Sequence, residues 1–399
     1  MRRFVWLTEI PGPYRNHSFE VMHRILPEYG IELCVWFLAW RDSRRPWSYQ
    51  PSDLQFPWRK FPGTHGFVRG IPMFFHPTLL ATLRVHAPDA IMIGGYGSPT
   101  HALAAFAAPP STLRVLGCES NVLSEVRHGL TRIVKRAVVR QYDAFLVPQH
   151  RSLDLLAAFD SASATKPYIL FPNIIDRTIY VDAVAQERSR ASVVRAQSAV
   201  ESNARLLLCV ARLSDEKGLT EFFKALRGRS GLRVVVAGDG PLRSELHQMI
   251  ARDRLPVELV GALPPVRLVP LYAAADAFVL PSIRDPSPLS VVEALAAGLP
   301  LIISSRVGNI DDVLVEDENG WSFDPLSAAS ITDAIDRVAS ASVSELKRWG
   351  SASLARYHAV FDSDRCVHRL GASLAKLIDN HYTQYDAKGI RHGTDRSHS

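Results

Sequence analysis

Long apolar runs are missing from this chain of 399 residues: none reaches the roughly 18 positions that a helix needs to cross a bilayer. The first apolar run, inside MRRFVWLTEI, follows two arginines as a secretion signal would, but it is short and Glu9 interrupts it. It reads as a core strand. Cysteine is scarce, and Cys34, Cys118, Cys209 and Cys366 stand far apart. No CxxC pair or Cys/His spacing suits a metal site. Three of the four sit in strand-like apolar runs, where a reduced buried thiol is the ordinary state. These absences point to the cytoplasm. Charge excess is also small, at +6. By itself that suits an anionic small substrate, an anionic membrane surface or nucleic acid. No RNA- or DNA-binding signature accompanies it, so nucleic acid is not an expected partner.

What is present describes an ordinary folded chain, with 47% hydrophobic and 22% charged residues. Its length suits two domains. Short apolar strands such as RFVWLTEI, APDAIMIGG, GLRVVVAG and ADAFVLPS alternate with helical patterns such as VLSEVRHGLTRIVKRAVVRQ and LSVVEALAAG. Near-continuous apolar strands separated by helices predict parallel sheets covered on both faces. The pattern restarts after about residue 200, which makes the fold class α/β, with two Rossmann-like doubly wound domains in tandem. The expected domains are 1–172 and 173–363, joined near PYILFPNIID. A helix over 364–382 is expected to cross back to the first domain, and 383–399 lacks any apolar period and reads as a disordered tail. Residues 40–75, rich in Trp, Pro and Arg, read as a long irregular insert.

Three places in the second domain carry chemistry. CVARLSDEKGL sets Arg212 and Lys217 just past a strand, where open α/β sheets bind ligands; two cations there suit a diphosphate. VVVAGDGPLRSEL sets Gly238 and Gly240 in a tight turn, with Pro241 at the expected first helical position and an anion-ready helix start after it. PSIRDPSPLSVVEALAAGLP is a strand-end loop feeding a helix, with Ser287 as the expected cap and Pro288 and Leu289 opening the helix. Asp285 lies in that loop and Glu293 lies mid-helix among apolar residues. A carboxylate can accept from both hydroxyls of a ribose or a hexose, and a helix start suits a phosphate. Otherwise Asp285 is a turn residue and Glu293 a solvated helix position, which the apolar surroundings of Glu293 oppose.

In order and spacing, these segments and IISSRVGNIDDVLVEDENGWSF resemble the retaining, nucleotide-sugar-dependent glycosyltransferases of group 1, family 4. The match covers about 204–325. The resemblance implies the GT-B fold, two Rossmann-like domains facing a central cleft. It implies that Glu293 binds the donor ribose, Asp285 the hydroxyls of the transferred sugar, and Arg212 and Lys217 the departing diphosphate, with no metal or other cofactor. The family prefers Glu followed by Gly where this chain has Asp285-Pro286, so the acid here is shorter and its loop stiffer.

The first domain resembles the family more loosely. LTEIPGPYRNHSFEVMHRIL sets Pro13, Tyr14 and Arg15 in a loop after the first strand, with Arg15 a candidate contact for donor phosphate or acceptor. IMIGGYGSPTHAL sets Gly95 and Tyr96 at another strand end, and LRVLGCESN sets Glu119 where many relatives carry histidine. Glu119 either activates an acceptor hydroxyl or caps the next helix. His128, Arg132, Lys135, Arg136 and Arg140 form a basic stripe, which is either a solvated face or a docking face for anionic membrane near a lipid-linked acceptor. The leading expectation is sugar transfer from a nucleotide-diphosphate sugar to a hydroxyl acceptor with retention. A nucleotide-sugar 2-epimerase of the same fold and a catalytically inactive nucleotide-sugar-binding protein stay open.

Overall fold

The computed structural model describes residues 1–41, 49–68, 71–120, 130–198, 200–201 and 204–387. They divide into two units: Met1–Ser120, 130–172 and the chain from Asp364 form the first, and Asn173–Ser363 the second.

The first unit runs β1 (Arg2–Thr8), α1 (Pro13–Ile25), β2 (Ile31–Phe37), β3 (Trp58–Lys60), β4 (Thr64–Val68), β5 (Ile71–Phe75), α2 (Pro77–His86), β6 (Ala90–Gly94), α3 (Pro99–Ala107), β7 (Leu113–Gly117), α4 (Leu130–Val139), β8 (Ala144–Val147), α5 (His150–Phe159) and β9 (Tyr168–Leu170). Its parallel sheet has the order β3-β2-β1-β6-β7-β8-β9. Phe4 to Leu7 of β1 are all buried, as a parallel strand covered on both faces requires. The order runs outward from β1 in one direction and from β6 in the other, so the topological switch point lies between them.

Two expectations about this unit need correction. The 40–75 stretch is not irregular throughout: Trp58–Lys60 extends the sheet, and Thr64–Val68 pairs antiparallel with Ile71–Phe75. Aromatic contacts hold its start, with Trp58 5.1 Å from Trp40 and Phe61 4.8 Å from Trp36 between ring centroids. Pro13, Tyr14 and Arg15 form the first turn of α1 rather than a loop, with proline where its missing N–H costs nothing.

The second unit runs α6 (Val184–Glu187), α7 (Ala191–Gln197), β10 (Arg205–Val210), α8 (Leu219–Ala225), β11 (Leu232–Ala237), α9 (Arg243–Asp253), β12 (Val257–Gly261), α10 (Pro265–Ala274), β13 (Ala277–Leu280), α11 (Leu289–Ala296), β14 (Leu301–Ser304), α12 (Ile310–Val313), β15 (Gly320–Phe323), α13 (Ala328–Ser340) and α14 (Val343–Val360). Its parallel sheet has the order β12-β11-β10-β13-β14-β15, so its switch point lies between β10 and β13. α15 (Ser363–Ala387) follows. It runs past residue 382, so the expected tail is helical as far as Ala387. Polar contacts hold this end to the first unit: Tyr382 donates to Asp89, and His381 lies 3.1 Å from the Pro110 carbonyl oxygen. Among the described residues no helix is long and apolar enough to cross a membrane.

Candidate active site

β10 and β13 flank the switch point of the second unit, and their following loops are tied together. The Glu216 carbonyl accepts from Ile283 N at 2.8 Å and from Arg284 N at 3.1 Å. This brings the Lys217 ammonium onto the Asp285 carboxylate in an ion pair. Asp285 is 7% exposed, and its own carbonyl accepts from Gly308 N at 2.8 Å, which anchors the loop from the other side. Arg212 is exposed on the same β10 loop. Burial works to raise the carboxyl of Glu216, but the Ser214 hydroxyl and the charges of Lys217 and Arg212 hold it below its ordinary range.

The glycines of the next turn act through close packing. A Cβ on Gly238 would lie 1.8 Å from the Ala211 carbonyl oxygen, and one on Gly240 would lie 2.3 Å from that of Leu213. Both therefore press against the loop that carries Arg212. The helix after them starts later than expected: α9 begins at Arg243, and Pro241 lies in the turn before it.

α11 also starts one residue later than expected. Pro288, not Ser287, is its N-cap, and Leu289 is its first residue. Instead Asn173 Nδ2 donates to Ser287 Oγ at 3.4 Å. Glu293 is 2% exposed, which excludes a solvated position. Its Oε2 accepts from the Tyr272 hydroxyl at 2.7 Å. At the other end of α11, Arg188 donates to the Ala297 carbonyl, where a cation complements the helix dipole. Sequence reading missed Tyr272 and Arg188. Tyr272 lies within the apolar LVPLYAAADAF, which signals only core, and Arg188 lies in a stretch that reads as surface.

In the first unit, Arg15 at the start of α1 forms an ion pair with Glu119 after β7. The Arg15 guanidinium also stands 5.9 Å from the Trp6 ring centroid. Glu119 is thus neutralised by a neighbour. Gly95 has φ +111°, a backbone state open to glycine. The Tyr96 ring packs edge-on to Phe159 at 5.9 Å, with Lys135 Nζ 5.5 Å from its centroid. Of the basic stripe, His128 lies outside the described residues. Arg136 and Arg140 are turned to the buried Asp160, and hydrogen bonds from Arg140 above all hold that carboxyl below its ordinary range. Arg132 stays exposed, beside exposed Ile133 and Val134.

Comparison with solved structures defines the fold. Sucrose-phosphate synthase from Thermosynechococcus elongatus matches with a TM-score of 0.70 at 17% identity, over 95% of this chain and 100% of that one. Anabaena HepE, solved in complex with UDP, matches with a TM-score of 0.71 at 16% identity, over 94% and 100%. The fold is GT-B, with two Rossmann-like units. Residues 192–355 match the family of group 1 glycosyl transferases. The sulfoquinovosyl transferase of Arabidopsis thaliana is 25% identical over 288 residues, 70% of this chain and 55% of that protein. An uncharacterized glycosyltransferase of Methanocaldococcus jannaschii is 32% identical over 146 residues, 35% and 37%. The chain thus spans between about a third and just over half of these relatives' length. Over residues 192–355 the chain is thus similar to the group 1 glycosyl transferases.

Proposed function

We propose that the chain transfers a sugar from a nucleotide-diphosphate sugar to a hydroxyl acceptor, with retention of anomeric configuration and without a metal ion. The observation that carries this is the meeting of Lys217 and Asp285 at the switch point of the second unit, inside the family match. In this reading Asp285 accepts from the sugar hydroxyls and Glu293 from the ribose. Breaking the bond between the anomeric carbon and the phosphate oxygen builds negative charge on the leaving nucleotide. Lys217 and Arg212 stabilise that charge, and the start of α11 adds a partial positive charge near it. Glu119, paired with Arg15, orients the acceptor side rather than acting as a free base. A lipid-linked acceptor would bring α4, with exposed Arg132, Ile133 and Val134, to an anionic membrane surface.

The test is nucleotide release from a panel of UDP-, GDP- and ADP-sugars with a lipid or glycan acceptor fraction, in the presence of chelator. Release is expected from one donor and only with acceptor, and the product should keep the donor's anomeric configuration by NMR. Binding without release across the whole panel would overturn the proposal in favour of a binding protein. Conversion of the nucleotide sugar without acceptor would overturn it in favour of an epimerase.

A further inference from the structure

Tyr272 lies near the end of α10, and its side chain is fully buried. Tyr180 stands edge-on to its ring at 5.8 Å, and Phe278 of β13 stacks on it at 6.3 Å. The clamped ring has one orientation, which carries its hydroxyl to α11. There the hydroxyl donates to Glu293 Oε2 at 2.7 Å and lies 3.4 Å from the Ser290 carbonyl oxygen.

We infer that Tyr272 is a positioning residue for nucleotide recognition: its hydroxyl holds the Glu293 carboxylate in the orientation that meets the two hydroxyls of a ribose. The inference rests on the assignment of Glu293 to the ribose. The chemistry of the partner matters. Lys217 neutralises Asp285, whereas a tyrosine hydroxyl is a neutral donor, so this bond orients the Glu293 carboxylate without itself cancelling its charge. A carboxylate has about four acceptor positions. The tyrosine occupies one of them, at Oε2. A buried carboxylate left without a donor is costly, so the same bond offsets part of the cost of burying Glu293.

The test measures binding of the tightest nucleoside diphosphate among UDP, GDP and ADP, and of its 2′,3′-dideoxy counterpart. Wild type, Tyr272→Phe, Glu293→Gln and the double variant are compared. Tyr272→Phe is expected to weaken the ribonucleotide about 10-fold, as loss of a hydrogen bond to a charged group does. It should leave the dideoxynucleotide within about 2-fold. The double variant should lose no more than the worse single one, because both changes remove one coupled unit.

Wild-type ribonucleotide affinity in Tyr272→Phe, with a loss in Glu293→Gln, overturns this inference alone. Equal losses for both nucleotides in Tyr272→Phe mark a merely structural role and also overturn it. Unchanged ribonucleotide affinity in Glu293→Gln overturns the ribose assignment and the inference with it. If Tyr272→Phe does not fold, Glu293→Asp replaces it, since one methylene less withdraws the carboxylate from the hydroxyl. The same ribose-selective loss is expected, and its absence overturns the inference.

Discussion

Lys217 stands 68 positions from Asp285 in the chain and bonds it in the fold. With no donor bound, each neutralises the other, and both side chains are mostly withdrawn from water. On the proposed function a donor changes the balance, because its diphosphate would compete for the ammonium while its sugar hydroxyls would approach the carboxylate. This predicts opposite effects on two ligands. Asp285→Ala should lower turnover at least about 100-fold, as the loss of contacts made in the transition state does. The same variant should bind the free nucleoside diphosphate at least as tightly as wild type, because Lys217 is released to the phosphates. Lys217→Ala should lose both turnover and diphosphate affinity. Titration calorimetry with the nucleotide, beside steady-state kinetics, reads the two effects separately. Weaker diphosphate binding in Asp285→Ala, or full turnover in Lys217→Ala, would sink the assignment of roles.

At the scale of elements, the site is held by loops that leave no space for a Cβ. Gly218 ends the turn that carries Lys217, with φ +65°, and a Cβ there would lie 2.1 Å from the Pro281 carbonyl oxygen. Gly228 has nearly the same φ, +69°, but open space around it. Gly228→Ala should therefore cost about 1 kcal/mol for backbone strain alone. Gly218→Ala should cost about 2–3 kcal/mol, since the collision adds to the strain, and should reduce turnover by shifting Lys217. Urea unfolding and kinetics on both variants check this, and equal costs would remove the close approach as a cause. Such contacts explain what sequence reading reached and what it missed. The switch-point loops were legible, because strands and their ends are local apolar signals. The starts of α1, α9 and α11 slipped by a residue or more, because capping depends on where a single side chain turns. Ser287 has the right chemistry for a cap, yet its hydroxyl faces Asn173. The partners of the charged groups were out of reach for another reason. Arg15 with Glu119, Arg140 with Asp160 and Tyr272 with Glu293 are pairs made by tertiary packing, with no spacing rule to announce them.

For the whole molecule, two doubly wound units were readable because buried parallel strands are continuous apolar runs, and the run of strands restarts once. The end of α15 was not readable, since polar contacts rather than an apolar stripe hold it. The first unit also buries a titratable group in the first turn of α3, just after the loop that follows β6. His101 of α3 is 1% exposed, 3.0 Å from Ser98 Oγ through Nδ1, and its Nε2 has no hydrogen-bond partner among the described residues. Burial, helped by the nearby His76, pushes its pKa down to about 4 from an ordinary 6.5. The unfolded chain therefore takes up this proton at higher pH than the folded chain. Stability from the neutral ring is complete above pH 6.5 and is lost as pH falls from there toward 4, by about 2.5 kcal/mol at pH 4.5. Other carboxyls titrate in the same range, so the measurement must be a difference. Urea unfolding of wild type and His101→Asn at pH 7.5 and pH 4.5 isolates the term, because asparagine does not titrate. The stability advantage of wild type over the variant should shrink by about 2.5 kcal/mol at the lower pH. An advantage that stays constant between the two would mean that His101 is already protonated in the folded chain, or that α3 opens before the unit unfolds.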